Sequence, residues 1–507
     1  MDINAFVTYN DVYKKDISSN DSVFYIKLIF RNYRKDVILS FLGYISQQIG
    51  VVNTPTSLLK IQEYFGIQSN GLAINPRSIL VLYQIFYDSI FFKEDSTDEG
   101  LQTNHVSLLF LYANQILNKT DFEKGKIGPS VINIQLLMSM MKLYVGSINA
   151  YEINTMEEYY LLFYEKLATS ERSTEFNKVL IRNTNMDIHK FIDVFYEMKE
   201  NKHINSPFEL FDKFAVLKFE DITAVWKDRK PILPIPNEYR FLEQYPLIKR
   251  NDLYYGVPPI QIFMSLIRKP YHVLSNDPST KDTFRAFWGT NIVEPIIKQF
   301  IKRIFECPNT FVIDIDFQKK IGFEPADVVI VNDDDIFLLE IKSGYMGLAD
   351  RYSASVEKFK NEFEKKYVYN SSGKHQLLNQ LGIFDRQYNK IIKMLGIDIN
   401  KKYKVFSCSV VFDEALTMIG FKRYLAQIFN NGIEKNIDNY KNFTPYLHSN
   451  LMTFSELLGF ERRVNNVEKR IQLFKQSFFY LDSMNEYFSD IKNQKIQVEG
   501  IIPEDVS

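Results

Sequence analysis

Two apolar runs of strand length, Ala326–Val331 and Ile336–Ile341, flank the tetrapeptide Asn332-Asp333-Asp334-Asp335. Asn and Asp tolerate the left-handed backbone of tight turns, so the stretch is expected to fold back as a hairpin. With Asp333 and Asp334 as the loop, Asn332 pairs with Asp335, Val331 with Ile336, Val329 with Leu338 and Asp327 with Glu340. Side chains alternate between the faces of a strand. Asp327, Val329, Val331, Ile336, Leu338, Glu340 and Lys342 therefore share one face. Ala326, Val328, Ile330, Phe337, Leu339 and Ile341 share the other, which is apolar throughout. The first face is apolar near the turn and charged only at its far end.

That charged end has a chemical consequence. Directly opposed strand residues bring their Cβ atoms to roughly 5 Å, where two bare carboxylates repel. A cation between Asp327 and Glu340 removes the penalty, and two carboxylates converging on one point suit a hard divalent ion, Mg²⁺ or Mn²⁺. Lys342 lies on the same face, two residues past Glu340. An ammonium there can position an attacking water and offset charge on a phosphate.

The spacing predicts a helix over Thr283–Phe305, a strand over Phe311–Phe317, helices over Ser355–Lys366 and Lys374–Met394, and a strand over Tyr403–Phe412. Asp327 with Glu340-Ile341-Lys342 resembles the Asp…Glu-x-Lys signature of the PD-(D/E)XK nuclease superfamily, and the order of elements resembles its α-β-β-β-α-β core. The likeness covers roughly residues 281–420. It implies that Asp327, Glu340 and the carbonyl of Ile341 are metal ligands and that Lys342 is the catalytic lysine. It also implies that Glu294, on the first core helix, is an auxiliary metal or water contact. Gln376, at the head of the helix after the third strand, is a candidate contact to phosphate or water. His375 beside it reads as a surface histidine. Asp314 and Asp316 share a strand face and are further candidates. Pro295 follows Glu294 directly, so the helix is expected to kink or restart there.

The rest of the chain supplies context. At 507 residues it is too long for one core, and roughly two to four domains are expected. Apolar residues recur three and four apart in Val23–Ile49, Ile79–Phe92, Val106–Leu117, Val131–Val145 and Tyr159–Leu167, so residues 1–227 read as a helical domain. Glu157 and Glu158 are placed in the first turn of one of these helices. Three prolines within Pro231–Pro236 mark a linker, and 228–280 reads as a bridging region with a short strand pair near Tyr245–Gly256. The nuclease-like domain spans 281–420, and 421–507 reads as a helical extension ending in a polar tail. The fold class expected is α+β and multidomain: a helical N-terminal half, then an α/β core with a mixed four-stranded sheet flanked by helices.

Composition neither supports nor excludes a nucleic-acid partner, since 61 Lys and Arg balance 62 Asp and Glu. Cys307 and Cys408 read as reduced thiols, and the six histidines show no metal-ligand spacing. Neither a phosphate-binding Gly-x-x-x-x-Gly-Lys loop nor a serine elbow occurs. The beginning of the chain lacks a signal-peptide pattern and the most apolar run is too short to span a bilayer, so a cytoplasmic location without membrane attachment is expected. The functional expectation is a Mg²⁺- or Mn²⁺-dependent endonuclease acting on DNA in preference to RNA, as a homodimer, in the manner of a prokaryotic restriction or phage-defence effector. The alternative is a catalytically silent nucleic-acid-binding or scaffold protein that keeps the nuclease fold.

Overall fold

The computed structural model describes residues 9–13, 15–51, 62–63, 74, 76–89, 92–93, 100–121, 150–200, 216–222, 224–225, 241–242, 245–257, 259–313, 325–344, 356–369, 373–413, 416 and 419–479. The expected helix at 131–145, the proline linker at 231–236, Asp314, Asp316 and the polar tail lie outside them. The chain is mixed α/β and mostly helical, with two mixed sheets. It divides into two compact units: Met1–Ile127, Met140–Val293 and Met346–Glu362 form one, and Gly128–Ser139, Glu294–Tyr345 and Phe363–Ser507 the other. Among the described residues no helix is long and apolar enough to cross a membrane.

The first unit is built on helices α1 (Ser19–Phe30), α2 (Lys35–Val51), α3 (Pro76–Asp88), α4 (Thr103–Asp121), α5 (Ala150–Ala168), α6 (Ser173–Thr184) and α7 (Ile188–Glu200). The periodic stretch from Val23 to Ile49 is two helices. Ser18 caps the first: its hydroxyl accepts the Asp21 N–H while the Asp21 carboxylate accepts the Ser18 N–H. Pro76 opens α3, where its missing N–H costs nothing. Helix α5 is already formed at Ala150, so Glu157 and Glu158 lie well past its first turn, contrary to expectation. Ile38, Leu42, Ile79, Phe86, Phe110 and Ile116 pack in the core of this bundle, all fully buried.

The expected strand pair is present as β2 (Leu247–Arg250) and β3 (Leu253–Gly256), antiparallel. A short strand, β1 (Val216–Lys218), adds parallel to β2. Three residues are too few to show alternation, so the periodicity gave no sign of it. Helices α8 (Pro259–Asn276) and α9 (Lys281–Phe287) follow, then a π-helical turn over Trp288–Val293.

Among the described residues, the second unit opens on α10 (Glu294–Phe305). The helix restarts at Glu294 because Pro295 has no N–H for the carbonyl of Asn291, and its ring crowds that carbonyl; the wider π turn before it gives the room. Strands β4 (Thr310–Ile313), β5 (Val328–Asn332) and β6 (Asp335–Lys342) come next. Helices α11 (Gln376–Arg386) and α12 (Tyr388–Leu395) lead to β7 (Lys404–Val411). Then come α13 (Ile419–Glu434), β8 (Thr444–Pro445), β9 (Asn450–Thr453), α14 (Phe454–Arg463) and α15 over 467–479. Strands β4, β5 and β6 are antiparallel neighbours, and β7 lies parallel to β6.

The sheet has six strands rather than the four expected, since β8 and β9 both add parallel to β7. The segment after Gly420 is therefore not purely helical. Strands of two and four residues leave too little pattern to read.

Both faces of this sheet are covered. Val329, Val331, Ile336 and Leu338 pack on Leu377, Leu381, Phe384, Ile391 and Phe429. On the other face the Phe337 ring lies 4.9 Å from Phe406 and 5.2 Å from Phe474, centroid to centroid. Helices α11 and α13 meet at Gly432, where a Cβ would collide with the Leu378 side chain. That close approach helps to hold α11 over the sheet.

Candidate metal and catalytic site

The hairpin register follows from its turn. Asp333 takes a left-handed φ of 50°, which Asp tolerates better than most residues. Asn332 pairs with Asp335, Val331 with Ile336 and Val329 with Leu338. The ladder ends at Val328 with Leu339, and one more step sets Asp327 beside Glu340. Asp327 turns its Oδ2 to accept the Ile341 N–H at 2.7 Å, so the carboxylate itself closes the end of the ladder. The N–H and C=O of a strand residue leave by the same edge, so the Ile341 carbonyl also faces the Asp327 side.

Glu340 is 8 % exposed and is held from three directions. Gln376 donates to its Oε1, Gln380 donates to its Oε2, and Lys342 Nζ lies 3.2 Å from Oε1. Lys342 also donates to Gln376 Oε1. Gln376 thus links carboxylate and ammonium, with its amide oxygen toward the lysine and its nitrogen toward the glutamate. On α10, Lys298 stands one turn after Glu294, forms an ion pair with it, and brings Nζ to 3.7 Å from Asp327 Oδ1. Glu294, Asp327, Glu340, Lys342 and Gln376, all singled out from sequence, are therefore gathered in one cluster.

Two members escaped the sequence reading, Gln380 and Lys298. Each lies four residues after a residue that was singled out, and so on the same helical face. His375 differs from expectation. Its Nδ1 accepts the Leu378 N–H at 3.5 Å as the cap of α11, and burial lowers its pKa to about 4. It is a half-buried capping residue, more enclosed than the surface histidine expected.

The electrostatics of the cluster are unfavourable to Asp327. Burial, then the charges of Glu340 and Glu294, raise its pKa from 3.8 to about 8, against the opposing effects of the Ile341 N–H and Lys298. A carboxyl so placed is short of positive charge. Carboxylate and carbonyl oxygens, with no nitrogen or sulfur donor, are the set a hard divalent ion takes, and in kind they fit Mg²⁺ or Mn²⁺. Among the described residues, no three His, Cys, Asp or Glu side chains are gathered in a ready-made metal cage. Glu294 is paired with Lys298, while Asp327, Glu340 and the Ile341 carbonyl, each with its own protein contacts, are the oxygen donors at the end of the hairpin.

The bond from Gln380 to Glu340 has a measurable weight. A buried hydrogen bond to a charged group contributes roughly 1.5–3 kcal/mol. Gln380→Leu is expected to lower unfolding free energy by about that amount in urea titrations. A change under about 0.5 kcal/mol, well below that range, would show that the bond is not made in solution.

No known protein family, curated protein or solved structure matches the chain.

Proposed function

We propose that the chain is a divalent-metal-dependent nuclease of the PD-(D/E)XK type, with the second unit as its restriction-endonuclease-like core. One observation carries the reading: Asp327 and Glu340 are brought together, largely buried, at the end of one hairpin, with Lys342 against Glu340. The succession α10, β4, β5, β6, a helix over Val356–Phe363, α11 and α12, β7 supports it, because it keeps the order of helix, three strands, helical segment and strand of that fold. Binding without catalysis has no need of two carboxylates and a lysine placed in this way.

In this reading Asp327, Glu340 and the Ile341 carbonyl would hold Mg²⁺ or Mn²⁺, and an ion bound there would supply positive charge for the phosphate and the leaving oxygen. Lys342 orients the attacking water and offsets charge that builds on the non-bridging oxygens. Gln376 holds the Lys342 ammonium and the Glu340 carboxylate in fixed relation. The substrate is DNA in preference to RNA, cut internally, and two copies of the chain supply the two sites that a double-strand break needs. A role as a restriction or phage-defence effector goes with that activity.

The test is direct. The full chain is incubated with plasmid DNA, single-stranded DNA and RNA in Mg²⁺, Mn²⁺ or EDTA, beside Lys342→Ala. Cleavage that needs the divalent ion and is lost in Lys342→Ala is the expected result. Cleavage that persists in EDTA or in the variant sinks the assignment. A folded protein that binds DNA and cuts nothing is the silent nucleic-acid-binding alternative.

A further inference from the structure

We propose that Lys298 is the resident counter-ion of the carboxylate cluster, the group that a divalent cation must displace in order to bind there. The inference rests on the reading of Asp327 and Glu340 as a cation site and adds a residue that sets its threshold.

Lysine is among the residues least often buried, because an ammonium out of water needs a partner. Lys298 is 5 % exposed, on a helix whose neighbouring buried positions are Ile297, Ile301 and Ile304. Its head group is the only polar part that such a setting must satisfy, and it is spent on two carboxylates. It pairs with Glu294 and stands 3.7 Å from Asp327 Oδ1. Lys342 serves Glu340 in the same way. Among the described residues, these three carboxyl groups thus share two ammonium groups, Lys298 and Lys342.

A divalent ion taken up by Asp327 and Glu340 would lie within a few ångströms of Lys298 Nζ. Two cations at such a separation, shielded from water, repel strongly. One of them has to leave. Lysine carries its charge on a flexible four-carbon stem, so its head can withdraw while α10 stays in place. Lys298 therefore does two things. It prevents Asp327 and Glu294 from facing each other unneutralised before the ion arrives, and it lowers the affinity with which the ion is then held. The site fills only when the divalent ion is plentiful enough to outcompete an ammonium already in place.

The experiment measures Mn²⁺ binding by calorimetry and by the spin resonance of free Mn²⁺, with thermal melts with and without the ion. It compares the full wild-type chain, Lys298→Met and Lys302→Met. Lys302 is on the same helix and half-exposed, with Glu306 as its partner, so it controls for the change in net charge. Lys298→Met is expected to bind Mn²⁺ about tenfold or more tightly than wild type, since a charge repelling the ion at short range has gone. It should also melt below wild type without Mn²⁺ and gain more from added Mn²⁺. Lys302→Met should match wild type in both respects. Equal affinity in Lys298→Met and wild type overturns the role of Lys298 and leaves the cation site standing. Absence of Mn²⁺ binding by every variant overturns both. If Lys298→Met does not fold, Lys298→Gln, which keeps a hydrogen-bonding head, takes its place with the same expectations.

Discussion

Asp327→Asn is expected to abolish cleavage while making the protein more stable. Both effects come from one feature, a carboxyl that burial and the charges of Glu340 and Glu294 hold at a pKa of about 8. The folded protein binds a proton there that the unfolded chain, with the ordinary aspartate value of 3.8, has already lost. Between those two values the native state holds more protons than the unfolded state, so stability falls as pH rises. The loss begins near pH 4 and is complete near pH 8. Asparagine keeps the shape, and its side-chain oxygen can still accept the Ile341 N–H, but it carries no charge to be buried. In the absence of divalent ions, Asp327→Asn should therefore match wild type near pH 4. By pH 8 it should exceed wild type by several kcal/mol, at most about 5. Thermal melts across that range, in EDTA, give the comparison. A variant less stable than wild type at pH 8 would falsify the electrostatic account. In cleavage assays, losing a ligand of the proposed ion removes several kcal/mol of transition-state stabilisation, a loss of about 10³-fold or more.

The hairpin that carries Asp327 was legible because three independent local signals agree on it. Asn332 to Asp335 are turn residues, the flanking runs are apolar and of strand length, and counting outward from the turn sets Asp327 opposite Glu340. The restart of the helix at Glu294 was legible from Pro295 alone. Gln380 and Lys298 were not, although each is one helical turn from a residue that was. A polar side chain on an amphipathic helix reads as solvent-facing unless its partner is known. The partners here, Glu340 on β6 and Asp327 just before β5, lie 40 and 29 residues away. The covering of the second face of the sheet was hidden for a similar reason. The apolar stripe in 467–479 shows that this helix packs on something, and nothing local says that it meets Phe337. Strands β8 and β9 are too short for a periodic signal and owe their conformation to the exposed edge of β7.

That second face gives the other large effect. Phe337 is fully buried, and its ring is met by Phe406, Phe474 and Phe478 at 4.9, 5.2 and 6.0 Å. Truncating such a ring costs its transfer free energy together with the cavity left behind, since the backbone of a central strand cannot collapse to fill it. Phe337→Ala is therefore expected to lower the unfolding free energy by about 3–5 kcal/mol, and Phe337→Leu, which refills most of the volume, by less than half of that. Helix 467–479 meets this face through Phe474 and Phe478, so limited proteolysis should cut there first in the alanine variant. The alternation of β6 makes a sharper claim. Phe337 points to the face opposite Glu340, so the variant should lose stability and keep its site. At a temperature where it remains folded, its Mn²⁺ affinity should stay within about twofold of wild type, as distant and independent positions behave. A large fall in affinity at full foldedness would mean that the two faces of the strand are coupled, and that the carboxylate cluster depends on the aromatic layer beneath it.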